Sequence, residues 1–449
     1  MYSLVVALAT GCSQPNPVVC CLSPSDCNML GVMDQSRPCT DGFVCIDHEC
    51  SAAPPVDAAP ACTIDTDCPA GAPHCASSRT CVECLDSSQC DAAQPVCDTG
   101  TMACRTCTQD SECGSDVCNV DAGTCTASSL VLYISPAGST SSTCGQMSPC
   151  SFDRAIALAD STRYVIRMSP GTYSASESIS GKQVVVDGTG SSLTPPTVNG
   201  FAIEATNGAT VTVIGLAITA LGGTSAIYCE GSNGGTVTLT RATVTSLQSG
   251  VVANPSSGNC TVSIDRTVLK TQSSTQPVIV ATANSVIHVA RSTIDGGTGI
   301  QLFTSSAIAG VENTIFRNQG PDGPLTGVGR FTVSFSTFVD AAVKCTSTSV
   351  VTIADSILVA TGQDAVAGTT CTVNESILLP QSGAVTGSGN HLNLDPLMKD
   401  RANGDYSLQS VSPAIDAATA SATVPALDYV GTPRPQGPRA DLGAFEYKP

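Results

Sequence analysis

Between Ala209 and Leu379 apolar and polar residues alternate, and a short phrase recurs. It closes in turn on Ile218, Val244, Val268, Ile294, Ile315, Phe338, Ile357 and Ile377, in steps of 26, 24, 26, 21, 23, 19 and 20 residues. A Ser or Thr precedes the closing residue in seven of the eight phrases, and Ala217 does so in the first. A second apolar residue stands four places earlier in most of them, at Ile214, Ile264, Ala290, Val311, Ile353 and Val373. The local period is two, the apolar residues are largely β-branched, and Gly, Asn and Ser mark the corners. No segment of this region carries a helical stripe. Period-two phrases repeated at such intervals predict stacked coils of short strands. The expectation is an all-β parallel β-helix of about ten coils, roughly 48 Å long at the spacing of neighbouring strands. One phrase cannot bury its own apolar side chains, whereas stacked phrases can.

Charge divides the chain. Residues 1–126 carry 16 acidic and 3 basic residues, and residues 127–449 carry 21 and 16. The acidity thus belongs to the N-terminal third, and the repeat region is close to neutral. Clustered Lys and Arg, which phosphate contacts require, are missing, which argues against nucleic-acid binding. Of 25 cysteines, 19 precede residue 126, a density that points to an oxidising compartment and a disulfide framework.

Residues 62–125 hold three cysteine modules, opened by CTIDTDC, CLDSSQC and CTQDSEC. CLSPSDC at Cys21–Cys27 is an earlier copy, continued by Cys39, Cys45 and Cys50 and separated by a Pro/Ala linker, residues 51–61. Acidic spacers, and repeats without regular His, favour disulfides over zinc, with pairing inside each module and its connectivity open. The modules have almost no apolar core, so cross-links must hold them. They resemble short Cys-rich repeats of bacterial surface proteins, loosely of the Dickkopf N-terminal type. The resemblance implies either a resistant stalk or a binding module. At the N-terminus, LATGC at residues 8–12 resembles a bacterial lipoprotein processing box, which implies lipidation of Cys12. The resulting segments are 1–12 (signal), 13–50 (Cys-rich), 51–61 (linker), 62–126 (three Cys-rich repeats), 127–388 (β-helix with an N-terminal helix over residues 151–160) and 389–449 (C-terminal cap).

Residues 131–139 (VLYISPAGS), 148–159 (SPCSFDRAIALA) and 164–190 resemble the opening of secreted right-handed parallel β-helix proteins of the pectate-lyase-like superfamily. The end resembles bacterial β-helix surface proteins of the choice-of-anchor Q type. There the carrying residues are Asp395-Pro396-Leu397, Gly404-Asp405-Tyr406, Ser412-Pro413-Ala414-Ile415-Asp416, Arg434-Pro435 and Asp441-Leu442-Gly443-Ala444 with Glu446. Enzymes of the superfamily use calcium held by clustered carboxylates and an Arg or Lys base, and this sequence shows no clear match to that cluster.

Candidate chemistry is sparse. Lys270, Arg317 and Asp340 stand two places after closing residues, and the first two are expected two coils apart. They are the candidate catalytic set, with scattered surface charge as the plainer reading. Arg241, Asp265, Arg291 and Glu312 are expected to form a structural ladder of alternating charge, three places before closing residues of successive coils. Asp428, Asp441 and Glu446 could hold a cation, although salt bridges to Arg434 and Arg439 are the simpler use. The four His have no metal-ligand spacing, and DGGTG at Asp295–Gly299 falls short of a calcium-binding repeat. Disulfides are expected between Cys144 and Cys150, Cys229 and Cys260, and Cys345 and Cys371, the last two stapling adjacent coils. The functional expectation is an exported outer-membrane or cell-surface lipoprotein, otherwise a secreted one. Its disulfide stalk presents a rod that recognises a carbohydrate or cell-surface partner, with no cofactor and with membrane attachment through the lipid anchor alone. A polysaccharide lyase or glycoside hydrolase, with calcium as its possible cofactor, and a structural envelope protein are the alternatives.

Overall fold

Parallel strands dominate this computed structural model, which describes residues 43–46, 49–52 and 62–449 apart from 197–199, 224, 347 and 421–422. Cys12, residues 53–61 of the linker and all of the first cysteine module except one hairpin lie outside the described residues. That hairpin pairs Phe43–Ile46 with Glu49–Ala52 and sets Cys45 opposite Cys50. The chain divides into two compact units, one comprising the hairpin and the residues up to Cys113 with Cys118–Cys125, the other Gly114–Val117 and Thr126–Pro449.

In the first unit each module joins its first cysteine to its third and its second to its fourth. The pairs are Cys62–Cys75, Cys68–Cys81, Cys84–Cys97, Cys90–Cys104, Cys107–Cys118 and Cys113–Cys125. The acidic spacers have a structural task. The residue before the second cysteine folds back onto opening backbone N–H groups: Asp67 accepts from Thr63 and Ile64, Gln89 from Leu85 and Asp86, and Glu112 from Thr108. The residue three places after the first cysteine accepts from the third cysteine's N–H, through Asp65, Ser87 and Asp110. Side chains thus satisfy backbone groups that so small a module cannot pair in sheets. Arg105 bonds Glu112 at 2.7 Å and holds its carboxyl down at about 2.

The second unit is a parallel β-solenoid of about nine turns. Two faces are 11-stranded sheets and the third is a 7-stranded sheet. The first sheet runs from Val131–Ser139 to Thr372–Asn374, the second from Gly171–Tyr173 to His391–Leu392, and the third from Glu177–Ser180 to Leu325–Gly327. Register places like over like inside. One column of the first sheet is Val213, Leu239, Ile264, Val289, Val311, Val333, Ile353 and Val373. The column of the second sheet is Ile218, Val244, Leu269, Ile294, Phe316, Phe338, Leu358 and Leu378.

This register corrects the repeat alignment. Ile294 pairs with Phe316, and Ile315 pairs with Thr293. Val268, Ile315, Ile357 and Ile377 therefore sit one residue off the interior column and face outward. Ile214 and Ala290 are likewise one residue off the interior column of the first sheet. For Ile315, Ile357 and Ile377 the cause lies in the C-terminal tail. It covers the outer face of the second sheet, packing Met398, Tyr406, Leu408, Leu442 and Phe445 on Ile315, Val339, Ile357, Val359 and Ile377. Strands such as Ile357–Val359 are apolar on both faces, so alternation cannot fix their phase.

Between the first and second sheets each coil turns on one left-handed residue: Gly215, Arg241, Arg266, Arg291, Asn313, Phe335, Asp355 and Glu375. The corner interrupts backbone pairing, and buried hydroxyls repair it. Thr267, Ser292, Thr314, Ser336, Ser356 and Ser376 each donate to the carbonyl two residues earlier. Five of these side chains also accept from the backbone N–H of the preceding coil, as Ser356 does from Ser336 at 3.1 Å. We expect Ser356→Ala to cost about 1–3 kcal/mol, because it strands the Ser336 N–H in the interior. Chemical denaturation of the full chain measures it.

The helix is Phe152–Leu158, shorter than expected, with Phe152, Ala155 and Ile156 buried against strands Val131–Ser139 and Glu177–Ser180. Ser151 occupies the N-cap position without making a capping bond, and its hydroxyl is buried without a partner. Lys182 closes the other end by donating to the Ile156 and Ala157 carbonyls. Cys144 and Cys150 form a disulfide next to this helix. Cys229–Cys260 and Cys345–Cys371 are also disulfides. Cys260 is level with Gly235, which lies beside the Cys229 sulfur.

Candidate functional site

The outer face of the first sheet is a Thr/Ser surface. One outward column reads Thr238, Ser263, His288, Gly310, Thr332 and Thr352, and its neighbour reads Thr240, Asp265, Ala290, Glu312, Ser334 and Ala354. Small residues at Gly310 and Ala290 lower this surface into a depression of about 460 Å³ with His288, Asp265, Arg291 and Glu312 around it. A side chain at Gly310 would fill space beside the His288 ring. Arg291 donates to both oxygens of Asp265 at 2.8 and 2.7 Å, and Arg266 donates to the same carboxylate at 2.8 Å. A second cavity, of about 260 Å³, shares Ala290, Arg291 and Glu312 and is walled by Pro425, Ala426 and Leu427.

The charge ladder is thereby redrawn. Asp265 and Glu312 end strands of the first sheet, whereas Arg241 and Arg291 occupy the left-handed corner one residue on, so the four do not form one column. Asp265 gathers Arg291 and Arg266 instead of alternating with single partners. Glu312 is exposed and receives the Arg291 backbone N–H on its carbonyl, leaving its carboxylate toward solvent. The depression therefore offers a fixed ion pair, a free acceptor, an imidazole and several hydroxyls.

On the second sheet Lys270, Asp295 and Arg317 stand level in three successive coils. Asp295, which the sequence pattern missed as a partner, is buried and accepts from Arg317 at 3.0 Å and Asn318 at 2.8 Å. Burial draws the Arg317 pKa down, but Asp295 and Tyr406 outweigh it and the net shift is upward, so this guanidinium is a poor base. Asp340 does not join Lys270 and Arg317. It sits beyond Val339 in a left-handed corner and binds Arg401 of the tail and Thr361.

The tail carboxylates converge on Arg434 and on backbone amides. Arg434 donates to the Asp441 and Gly443 carbonyls at 2.9 and 2.8 Å and lies 3.6 Å from Glu446 and 5.0 Å above the Phe335 ring. Asp428 accepts from Val430, Thr432 and Glu446, Asp441 from Asp416 and Tyr447, and Glu446 from Gln436 and Asp441. Their lone pairs point at amides, an arrangement that fastens the tail. Burial raises the Asp441 pKa to about 6. Arg439 donates to the Ala418 carbonyl rather than to these acids.

Two further acidic features were invisible in the sequence, where no periodicity singles them out. Glu204 is buried on the third sheet, accepts from Ser178 at 2.5 Å, and neighbours Glu230, whose pKa is raised by burial and then by Glu204. Glu177 lies beside the N-terminal helix, where burial and then Asp153 lift its carboxyl to about 7. Such a group keeps its proton in the folded chain while the unfolded chain loses it, so its cost appears as pH rises from about 4.5 to 7. We expect Glu177→Gln to stabilise the protein by about 1 kcal/mol at pH 8, after allowance for solvent screening, and by much less at pH 4. Thermal unfolding at the two pH values provides the measurement.

No protein-family model matches the chain, and no curated protein matches it. Among solved structures it is similar to a crystal structure of pectate lyase Pel9A, at 14% identity and a TM-score of 0.49, covering 71% of this chain and 96% of that one.

Proposed function

We infer that this protein is an exported recognition protein that binds carbohydrate on the outer face of its first sheet. The disulfide modules would serve as its stalk and a lipid on Cys12 as its anchor. The supporting observation is the depression around Gly310, where Arg291 is held rigidly by Asp265 while Glu312 and His288 border an otherwise hydroxyl-bearing surface. Fixed polar groups at the edge of a shallow pocket suit hydrogen bonding to vicinal sugar hydroxyls, with little ordering cost on the protein side. The test is a glycan array probed with the full chain and with the His288→Ala/Glu312→Ala double variant. We expect a defined glycan set to bind and the double variant to lose about tenfold in affinity, which is the worth of one or two hydrogen bonds. Absence of any binding, or equal binding by both proteins, overturns the reading.

A second reading, polysaccharide cleavage, draws support from Glu204 and Glu230. Burial and the neighbouring Glu204 raise the Glu230 pKa, and an acid held protonated beside a second carboxyl is suited to acid–base work. A product assay on acidic and neutral polysaccharides, repeated with Glu230→Gln, separates cleavage from binding.

A further inference from the structure

A separate pocket on the outer face of the third sheet stands apart from the depression assigned above, and the argument for it does not depend on that assignment. The segment Asp295–Gly299 contributes Thr298 to its wall. Gly296, Gly297 and Gly299 all take left-handed angles, with φ of 83°, 58° and 60°. A side chain at Gly297 would come within 2.0 Å of the Gln276 carbonyl, and one at Gly299 within 2.2 Å of the Pro324 carbonyl. The coil before and the coil after thus clamp this loop, and Thr298 donates its own N–H to Gln276 at 3.1 Å. Three glycines are spent to present one threonine.

Thr298 is only 4% exposed, yet its hydroxyl is buried without a hydrogen-bond partner. The Thr326 hydroxyl is also buried and unpartnered. Both line the same pocket of about 270 Å³, together with Gln301, Thr275, Asp322 and Lys344. A buried hydroxyl without a partner costs about 1–3 kcal/mol, and valine would fill nearly the same volume without that cost. Two such hydroxyls on residues that wall one cavity would be satisfied by a ligand that seats there and draws them into hydrogen bonds.

The geometry points to a binding site for a neutral polyhydroxylated ligand, a single uncharged pyranose unit at the end or side of a glycan. Hydroxyls and a carboxamide both donate and accept, as vicinal sugar hydroxyls require. Asp322 and Lys344 carry opposite charges, so the pocket has no net charge with which to select an anion or cation. Leu325 supplies a small apolar patch for the C–H face of a ring.

The experiment uses the full chain and saturation-transfer NMR with the methyl glycosides of glucose, galactose and mannose, with galacturonate as the charged comparator. Thr298→Val and Thr326→Val each remove one hydroxyl, and Thr298→Ser retains it. We expect at least one neutral glycoside to bind, affinity to fall about tenfold in each valine variant and to return in the serine variant. The melting temperatures of the valine variants should equal or exceed that of the natural protein, because the unpaired hydroxyl is gone. Measurements in the His288→Ala/Glu312→Ala background keep the two sites apart, since binding here should survive that change. The proposal is overturned if no neutral glycoside binds, if binding is unchanged in both valine variants, or if galacturonate binds as well as the neutral sugars. It also fails if the valine variants melt lower with binding intact, because enclosed water then serves these hydroxyls.

Discussion

Replacing Phe338 by alanine is expected to lower the unfolding free energy by about 3–5 kcal/mol, the range for deleting a large buried aromatic ring. Phe338 stacks on Phe316 of the preceding coil with ring centroids 4.6 Å apart and planes 2° from parallel, and neither is exposed to solvent. The interior is narrow, and this pair fills it where the coils above and below carry Ile294 and Leu358. A truncated ring leaves a cavity that a rigid stack of coils cannot close by collapse. Phe338→Leu should recover most of the loss, because a branched apolar residue already occupies the same column in the next coil. Guanidinium denaturation followed by far-ultraviolet circular dichroism distinguishes the two variants.

The second large effect concerns Arg434. Its side chain is fully buried among Asp428, Asp441 and Glu446, and it is the positive charge that balances them. Arg434→Met keeps the bulk and removes the charge, leaving carboxylates buried without a counter-charge. We expect a loss of about 3–5 kcal/mol near pH 8, as for other broken buried pairs. The loss should shrink toward pH 5. Burial already holds Asp441 at about 6, so below that value this acid is protonated in the folded chain and needs no counter-charge. An equal deficit at both pH values would show that Arg434 acts by packing on Phe335 alone. Protease cleavage within residues 389–449 reports whether the tail detaches first.

The architecture was legible because its signal is redundant: many phrases of one period leave only one way to bury them. Cys229–Cys260 and Cys345–Cys371 could be placed for a related reason, since both have the same relation to the coil, and Cys144–Cys150 because the two bracket one short loop. What was not legible was phase. Ile315, Ile357 and Ile377 look like interior residues and are apolar, but they belong to a second interface, beneath the tail. A pattern of alternation records that a residue is covered, not what covers it. The same slip misassigned the charged residues, because Arg241 and Arg291 mark a left-handed corner that carries Gly, Asn, Phe, Asp or Glu elsewhere. No single residue type identifies that position. Asp295 escaped for a further reason. Its importance depends on Arg317 lying level with it one coil away, a relation set by register and not by spacing within a phrase.

The tail also bears on how such a molecule can change length. It fastens to coils from Thr293, which meets Tyr429, to Ile377, so its anchoring points span a fixed number of rungs. A duplicated rung inserted upstream of residue 280, outside the Cys229–Cys260 staple, would lengthen the molecule and leave every fastening of the tail intact. The same duplication downstream would pull the latch out of step with its catches. Changes of length are therefore expected to be better tolerated on the N-terminal side of residue 290, away from the Cys229–Cys260 staple, than in the coils that the tail spans.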